Sequence, residues 1–240
     1  MISVIVPSRS RPNELLTGLN SLGLAEHGLE ALVWLDADDS QLKQYQKLFE
    51  SNSYVKLFVK ERVGYINFHL MANFLCQQAK YDWILEFNDD AYMDNPNWFT
   101  IFTDFVKDFK PAREPVVINI WGQGEIVDNL FPIVSRCYFT ILGHFGLTPN
   151  CDDWIRLVSI GANISYNLKG IKPKHRKYGG DNPLIDETFR EVERDRAENR
   201  KRWNEGRRGH VLPQQLLDSD IRKILRYVNE RQPSWRFVKI

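Results

Sequence analysis

Cysteine is scarce in this sequence. Cys76, Cys137 and Cys151 are the only three in 240 residues; they are odd in number and show no C-x-x-C spacing. That excludes a disulfide framework and a finger-type zinc site, and it points to a reduced, cytoplasmic compartment. Long apolar runs are lacking too. Before Pro7 the N-terminal stretch offers only Ile2, Val4, Ile5 and Val6, too short for a signal-peptide core. No segment approaches the roughly 18 apolar residues of a spanning helix, so neither export nor membrane insertion is expected. There is no internal repeat and no low-complexity tract, which excludes a solenoid. An excess of charge of one sign is also missing, since 32 Lys and Arg stand against 31 Asp and Glu for a net +1. What is present is 43% hydrophobic and 12% aromatic residues, enough to bury a substantial core and to exclude disorder.

The neutral total hides a split. Residues 1–171 carry 14 basic and 20 acidic side chains, whereas 172–240 carry 18 basic and 11 acidic, net −6 against net +7. Opposite signs in two parts of one chain suggest different partners for each, and the boundary divides the sequence into a core, 1–171, and a basic, mostly helical C-terminal region, 172–240.

Within the core, short β-rich runs alternate with amphipathic segments, the pattern of an α/β fold with a mainly parallel sheet flanked by helices. Strands are predicted near 2–6, 31–35, 54–59, 82–87 and 115–120, and helices near 12–22, 39–51, 65–79 and 96–107. Pro12, Asp39 and the Asn95-Pro96 pair supply helix-start signals. Further on, Trp121 to Gly124 reads as a loop, 135–143 and 152–160 as helices, and 162–168 as a strand. A polar helix is expected after Pro183 to about 204, and a last helix over 214–230, beyond the Gly206 and Gly209 break.

In open α/β sheets, ligands bind outside the carboxyl ends of the strands, and three polar clusters fall there. Pro7-Ser8-Arg9-Ser10-Arg11 precedes a helix N-terminus, a setting suited to phosphate or ribose. Asp36, Asp38 and Asp39 are acceptors for a base N–H or ribose hydroxyls, although Asp39 serves equally well as a helix cap. Asn88-Asp89-Asp90 ends a buried-strand pattern in adjacent carboxylates, which suit Mg²⁺ or Mn²⁺ bridging a diphosphate. Taken singly, each cluster is also what a charged surface turn looks like.

Together they resemble something more specific. I-S-V-I-V-P-S-R-S-R-P, an acidic end to strand two, Gly64 opening a helix with Asn67 and Asn73, and I-L-E-F-N-D-D resemble nucleotide-sugar glycosyltransferases of the GT-A fold, closest to the family-2-like group and similar to small bacteriophage and bacterial members. Asn88-Asp89-Asp90 stands where that group has D-x-D, with Asn replacing the first Asp. The resemblance implies Asp90 as metal ligand and Asn88 or Asp89 on the ribose. By the same likeness Asp153, or failing it Asp152, in D-D-W-I is the general base, two acids that also suit a helix start. His175 is the second metal or diphosphate ligand, with His210 as competitor. Trp121, Tyr65, Trp154 and Trp203 are candidates for stacking on sugar or base, or for packing.

The implied reaction is metal-dependent transfer of a sugar from a nucleoside diphosphate sugar, a uridine one by expectation, to an acceptor hydroxyl with inversion. The basic residues Lys172, Lys174, Arg176, Lys177, Arg200, Lys201, Arg202, Arg207 and Arg208 make a hydroxymethylated base in phage-type DNA one expected acceptor and a glycan the other. A solvated helix with i,i+4 ion pairs also fits that region. A nucleotidyltransferase is disfavoured because no Gly-rich loop with a following lysine succeeds the first strand. A non-catalytic nucleic-acid-binding module leaves the three clusters without a purpose.

Overall fold

The computed structural model describes residues 1–120, 131–175, 189–191, 193–194 and 213–231. Its elements are β1 (Ile2–Ser8), α1 (Pro12–Ser21), α2 (Leu24–His27), β2 (Glu30–Asp36), α3 (Leu42–Phe49), β3 (Val55–Lys60), a 3₁₀ turn (Tyr65–Asn67), α4 (Phe68–Gln78), β4 (Trp83–Glu86), β5 (Ala91–Met93), α5 (Trp98–Val106), β6 (Val117–Ile120), β7 (Ile133–Ser135), α6 (Arg136–Leu142), α7 (Cys151–Gly161), β8 (Ser165–Leu168), β9 (Pro173–His175) and α8 (Gln214–Arg231). Seven strands form one sheet in the order β3-β2-β1-β4-β7-β6-β8. It is the mainly parallel α/β sheet the alternation predicts.

Strand periodicity builds two apolar layers, one on each face. Ile2, Val4, Val6, Trp83 and Leu85 face a layer closed by α1, α3 and α5. Ile5, Ile84, Val117 and Val134 face the other, closed by α4, α6, α7 and α8. Because both faces are covered, the central strands read as near-continuous apolar runs.

Four elements were missing from the sequence reading. Three are the three-residue strands β5, β7 and β9 and the fourth is the single-turn α2; all are too short to establish a period. β7 pairs antiparallel with both β4 and β6, inserting a reversed strand in the middle of the sheet. Ser135 ends it twice over, accepting the Val116 N–H at 2.9 Å and the Tyr138 N–H at the start of α6. β5 and β9 form a separate antiparallel pair in which Ala91 opposes His175.

β1 also runs two residues further than 2–6, so Pro7 and Ser8 lie within it, opposite Trp34 and Leu35. Pro7 is tolerated because the pairing of β1 with β4 stops at Ile5 and Glu86, so by Pro7 that side of β1 is an edge. The predicted loop at 121–124 and most of the predicted helix to 204 lie outside the described residues; 189–191 and 193–194 are helical. None of the described helices is long and apolar enough to cross a membrane.

Candidate active site

The carboxyl ends of β1, β2 and β4 meet at one edge of the sheet, and the three polar clusters meet with them. Ser10 takes a left-handed backbone, φ 59°, uncommon for a side-chain-bearing residue. Arg9 and Arg11, on either side of it, engage different acids. Arg9 Nη1 donates to Asp36 Oδ2 at 3.0 Å and to Asp38 Oδ1 at 2.6 Å. Arg11 Nη1 donates to Asp89 Oδ1 at 3.0 Å and lies 3.4 Å from Asp90 Oδ2. The arginines expected to face a ligand thus also pair with the acids expected to face it.

Each acid is further fixed. Trp34 Nε1 donates to Asp36 Oδ1 at 3.1 Å, and Arg62 approaches Asp38 at 3.8 Å. Asp39 accepts from the backbone N–H of Ser10 at 2.7 Å and of Gln41 at 2.8 Å, so it ties the β1 loop to the turn entering α3. Behind Asp89 runs an ordered chain. The Arg11 N–H donates to the Tyr45 hydroxyl at 2.8 Å, which leaves Tyr45 to donate to Ser8 Oγ at 2.8 Å and Ser8 to donate to Asp89 Oδ2 at 2.9 Å. Asn88 sits on the intervening turn, its carbonyl accepting the Ala91 N–H at 3.2 Å.

His175 arrives from 85 residues away. Pairing of β9 with β5 sets it opposite Ala91, the neighbour of Asp90, and its Nε2 lies 2.9 Å from Asp90 Oδ1. On α7 the first turn carries Asp152 and Asp153. Asp152 Oδ1 accepts the Asp153 N–H at 2.9 Å, and Asp153 pairs with Arg156 at 3.1 Å. Burial raises Glu86, at the end of β4, and the charge of Asp152 adds to the rise.

Charges separate along the edge. Burial pushes Asp89 up to about 6, against the pull of Arg11 and with the adjacent Asp90 adding to the rise. For Asp90 burial pushes the same way, but the hydrogen bond from His175 and the Arg11 charge outweigh it and hold the carboxyl below its ordinary value. Asp36 is raised by burial against its Trp34 and Arg9 bonds, whereas Asp38 is lowered by its bond from Arg9.

No group of three or more His, Cys, Asp and Glu side chains among the described residues is set to hold a metal. Asp90 and His175 offer an oxygen and a nitrogen donor. That set fits an ion such as Mn²⁺ or Mg²⁺, which takes one or two carboxylates and completes its shell with water and phosphate oxygens. An ion there would replace the proton that Nε2 shares with Asp90.

Sequence reasoning missed Ser8, Trp34, Tyr45, Arg62 and Glu86. Ser8 lay inside a named cluster, and the carboxyl of Glu86 interrupts an apolar strand, a legible signal; Tyr45 gives none within α3. Trp154 is fully buried, its Nε1 donating to Asp220 at 3.2 Å, so it packs rather than stacks on a ligand. Tyr65 lies against Phe68. Trp121, Trp203, His210, Arg176, Lys177 and Arg200 to Arg208 lie outside the described residues.

The mainly parallel sheet flanked by helices, with one reversed strand, is consistent with the GT-A glycosyltransferase fold. Solved structures bear this out. A fragment of Staphylococcus aureus TarS, 1-349, superposes with a TM-score of 0.57 at 17% identity, covering 100% of this chain and 75% of that one. The same fragment in complex with UDP-GlcNAc gives 0.57 at 16% identity, covering 100% and 76%. The mannosyltransferase PcManGT from Pyrobaculum calidifontis, in complex with GDP-Man and Mn²⁺, gives 0.58 at 10% identity, covering 98% and 76%. No protein-family model and no curated protein sequence matches this chain.

Proposed function

We propose that this protein is a metal-dependent glycosyltransferase that moves a sugar from a nucleoside diphosphate sugar, with uridine as the preferred base, to an acceptor hydroxyl. The observation that carries this reading is the meeting of Asp90 and His175 at 2.9 Å beside the polar ends of β1, β2 and β4, in a fold shared with proteins complexed with UDP-GlcNAc and with GDP-Man and Mn²⁺. In this reading Asp36 and Asp38 exchange Arg9 for the base and ribose, and Asp89 accepts from a ribose hydroxyl. Asp90 and His175 hold the ion, and Arg11 lies within reach of the diphosphate. A bound divalent ion supplies positive charge against the leaving diphosphate. Asp153, on the first turn of α7, takes the proton of the acceptor hydroxyl during attack on the anomeric carbon, which inverts it.

For the acceptor, a hydroxymethylated base of phage-type DNA is proposed, supported by the net +7 of residues 172–240. Within that region Lys174 is paired with Asp94 at 2.8 Å, which leaves less of the basic charge for phosphate at that point. The deciding experiment is a donor screen: hydrolysis of individual nucleotide sugars with Mn²⁺ and no acceptor, then transfer to duplex DNA with and without hydroxymethylcytosine. Hydrolysis of a uridine donor supports the reading. Absence of hydrolysis for every donor contradicts it, and transfer to glycans alone removes DNA as acceptor.

A further inference from the structure

β2 and β3 end side by side, with Asp36 opposite Lys60 and the Ala37 N–H donating to the Lys60 carbonyl at 2.7 Å. Two residues beyond that pair, on the two chain segments leaving the strands, stand Asp38 and Arg62. The strand register therefore brings them together, and Arg62 Nη1 lies 3.8 Å from Asp38 Oδ2. The other terminal nitrogen of the same guanidinium, Nη2, lies 2.5 Å from Glu191 Oε1. Glu191 is an acid of the basic region 172–240, in which 189–191 and 193–194 are helical.

Charges alternate in sign along this edge. Arg9 bridges Asp36 and Asp38 at 3.0 and 2.6 Å, and Arg62 bridges Asp38 and Glu191. An isolated surface ion pair contributes little to stability, whereas charges joined in a network contribute more. The row also runs from solvent into a covered contact: the side chain of Asp38 is 54% exposed, that of Arg62 38% and that of Glu191 13%. The two arginines repel one another across Asp38. The hydrogen bond to Glu191 raises Arg62, against burial and the charge of Arg9. In the transferase reading the base and ribose take Asp36 and Asp38 from Arg9. Once Arg9 leaves, its repulsion falls and Arg62 is the cation that stays beside Asp38.

We propose that Arg62 is a positioning residue that couples the donor edge to the C-terminal region: its two terminal nitrogens hold Asp38 and Glu191 at once, so nucleotide binding and docking of the helical turn that carries Glu191 favour each other. The coupling to nucleotide rests on the glycosyltransferase reading; the latch between Arg62 and Glu191 does not. Coupling of this kind is reciprocal, so the factor that nucleotide adds to docking is the factor that docking adds to nucleotide affinity. It needs the guanidinium fork, because a lysine offers one nitrogen for two acids. It fades in high salt, which screens partly exposed charges.

The test uses the full chain at low salt with Mn²⁺, as wild type, Arg62→Gln, Arg62→Lys, Glu191→Gln and the Arg62→Gln/Glu191→Gln double variant. It reads the affinity for uridine diphosphate and the amide hydrogen exchange of a peptide spanning 189–194. In wild type the nucleotide should slow that exchange about 5-fold, and in every variant it should not. Each single variant should bind the nucleotide about 5-fold more weakly, and the double variant no more weakly than the singles. A double variant about 25-fold weaker, the product of two independent effects, overturns the coupling. So does nucleotide-slowed exchange that persists in Arg62→Gln. Wild-type binding and exchange in Arg62→Lys overturn the two-nitrogen bridge. If neither uridine nor guanosine diphosphate binds, the transferase reading fails and the unliganded protein decides the latch. Equal acceleration of exchange over 189–194 in Arg62→Gln, Glu191→Gln and the double variant upholds it, and unaltered exchange overturns it.

Discussion

His175 Nε2 lies 2.9 Å from Asp90 Oδ1, and the contact follows from backbone pairing one residue away, where Ala91 opposes His175. A two-stranded sheet too small to be stable by itself therefore joins the Asp-Asp turn to a histidine 85 residues later. Its support comes from α1, whose Gly18 packs on the carbonyl of Ala91.

That packing leaves no room. A Cβ at Gly18 would stand 2.5 Å from Ala91 O, a backbone atom that cannot swing aside. Gly18→Ala should destabilise the fold by about 1–3 kcal/mol in urea denaturation and, by displacing β5, weaken binding of uridine diphosphate with Mn²⁺.

Tyr45 accepts the Arg11 N–H and donates to Ser8, and all three are buried. Tyr45→Phe strands that N–H, so a loss of about 1–3 kcal/mol is expected by chemical denaturation. A neutral result would mean that the chain behind Asp89 is not what holds the β1 loop.

On the opposite side of the sheet edge, Asp220 docks α8. It accepts from His144 at 3.0 Å, Lys223 at 3.0 Å and Trp154 at 3.2 Å, and is 1% exposed. Burial alone would raise it, but the bonds from His144 and Lys223 outweigh burial and hold it below the ordinary 3.8. Its stabilisation is therefore present above that value and lost as pH falls through the lower folded value. Asp220→Ala should cost about 3 kcal/mol near neutrality, and its deficit against wild type should shrink in acid melts.

Asp153→Asn should lower transfer by at least about 100-fold while leaving donor affinity unchanged, measured by labelled-sugar transfer against uridine diphosphate binding. Retained turnover would move the base role to Asp152, whose carboxylate lies one residue nearer the start of α7.

How far the sequence led depends on what each feature needs. β1, β2 and β4 were legible because covered central strands are apolar throughout, and α7 because two acids open an amphipathic helix. The strand ends carried the three polar clusters in plain view. Their mutual pairing was not legible: Arg9 meets Asp36 only through the β1–β2 register, and Asp90 meets His175 only through β5 and β9. Three-residue strands carry no period, and β7, reversed between β4 and β6, has apolar residues on both faces. Trp154 is an aromatic whose role only burial decides.

The central claim is that Asp90 and His175 hold a divalent ion that in turn holds a nucleoside diphosphate. Thermal unfolding with uridine diphosphate, with and without Mn²⁺, in wild type and Asp90→Ala tests it most directly. The account predicts a rise in melting temperature that needs both nucleotide and ion and disappears in Asp90→Ala. A rise of equal size without the ion, and unchanged in Asp90→Ala, would contradict it.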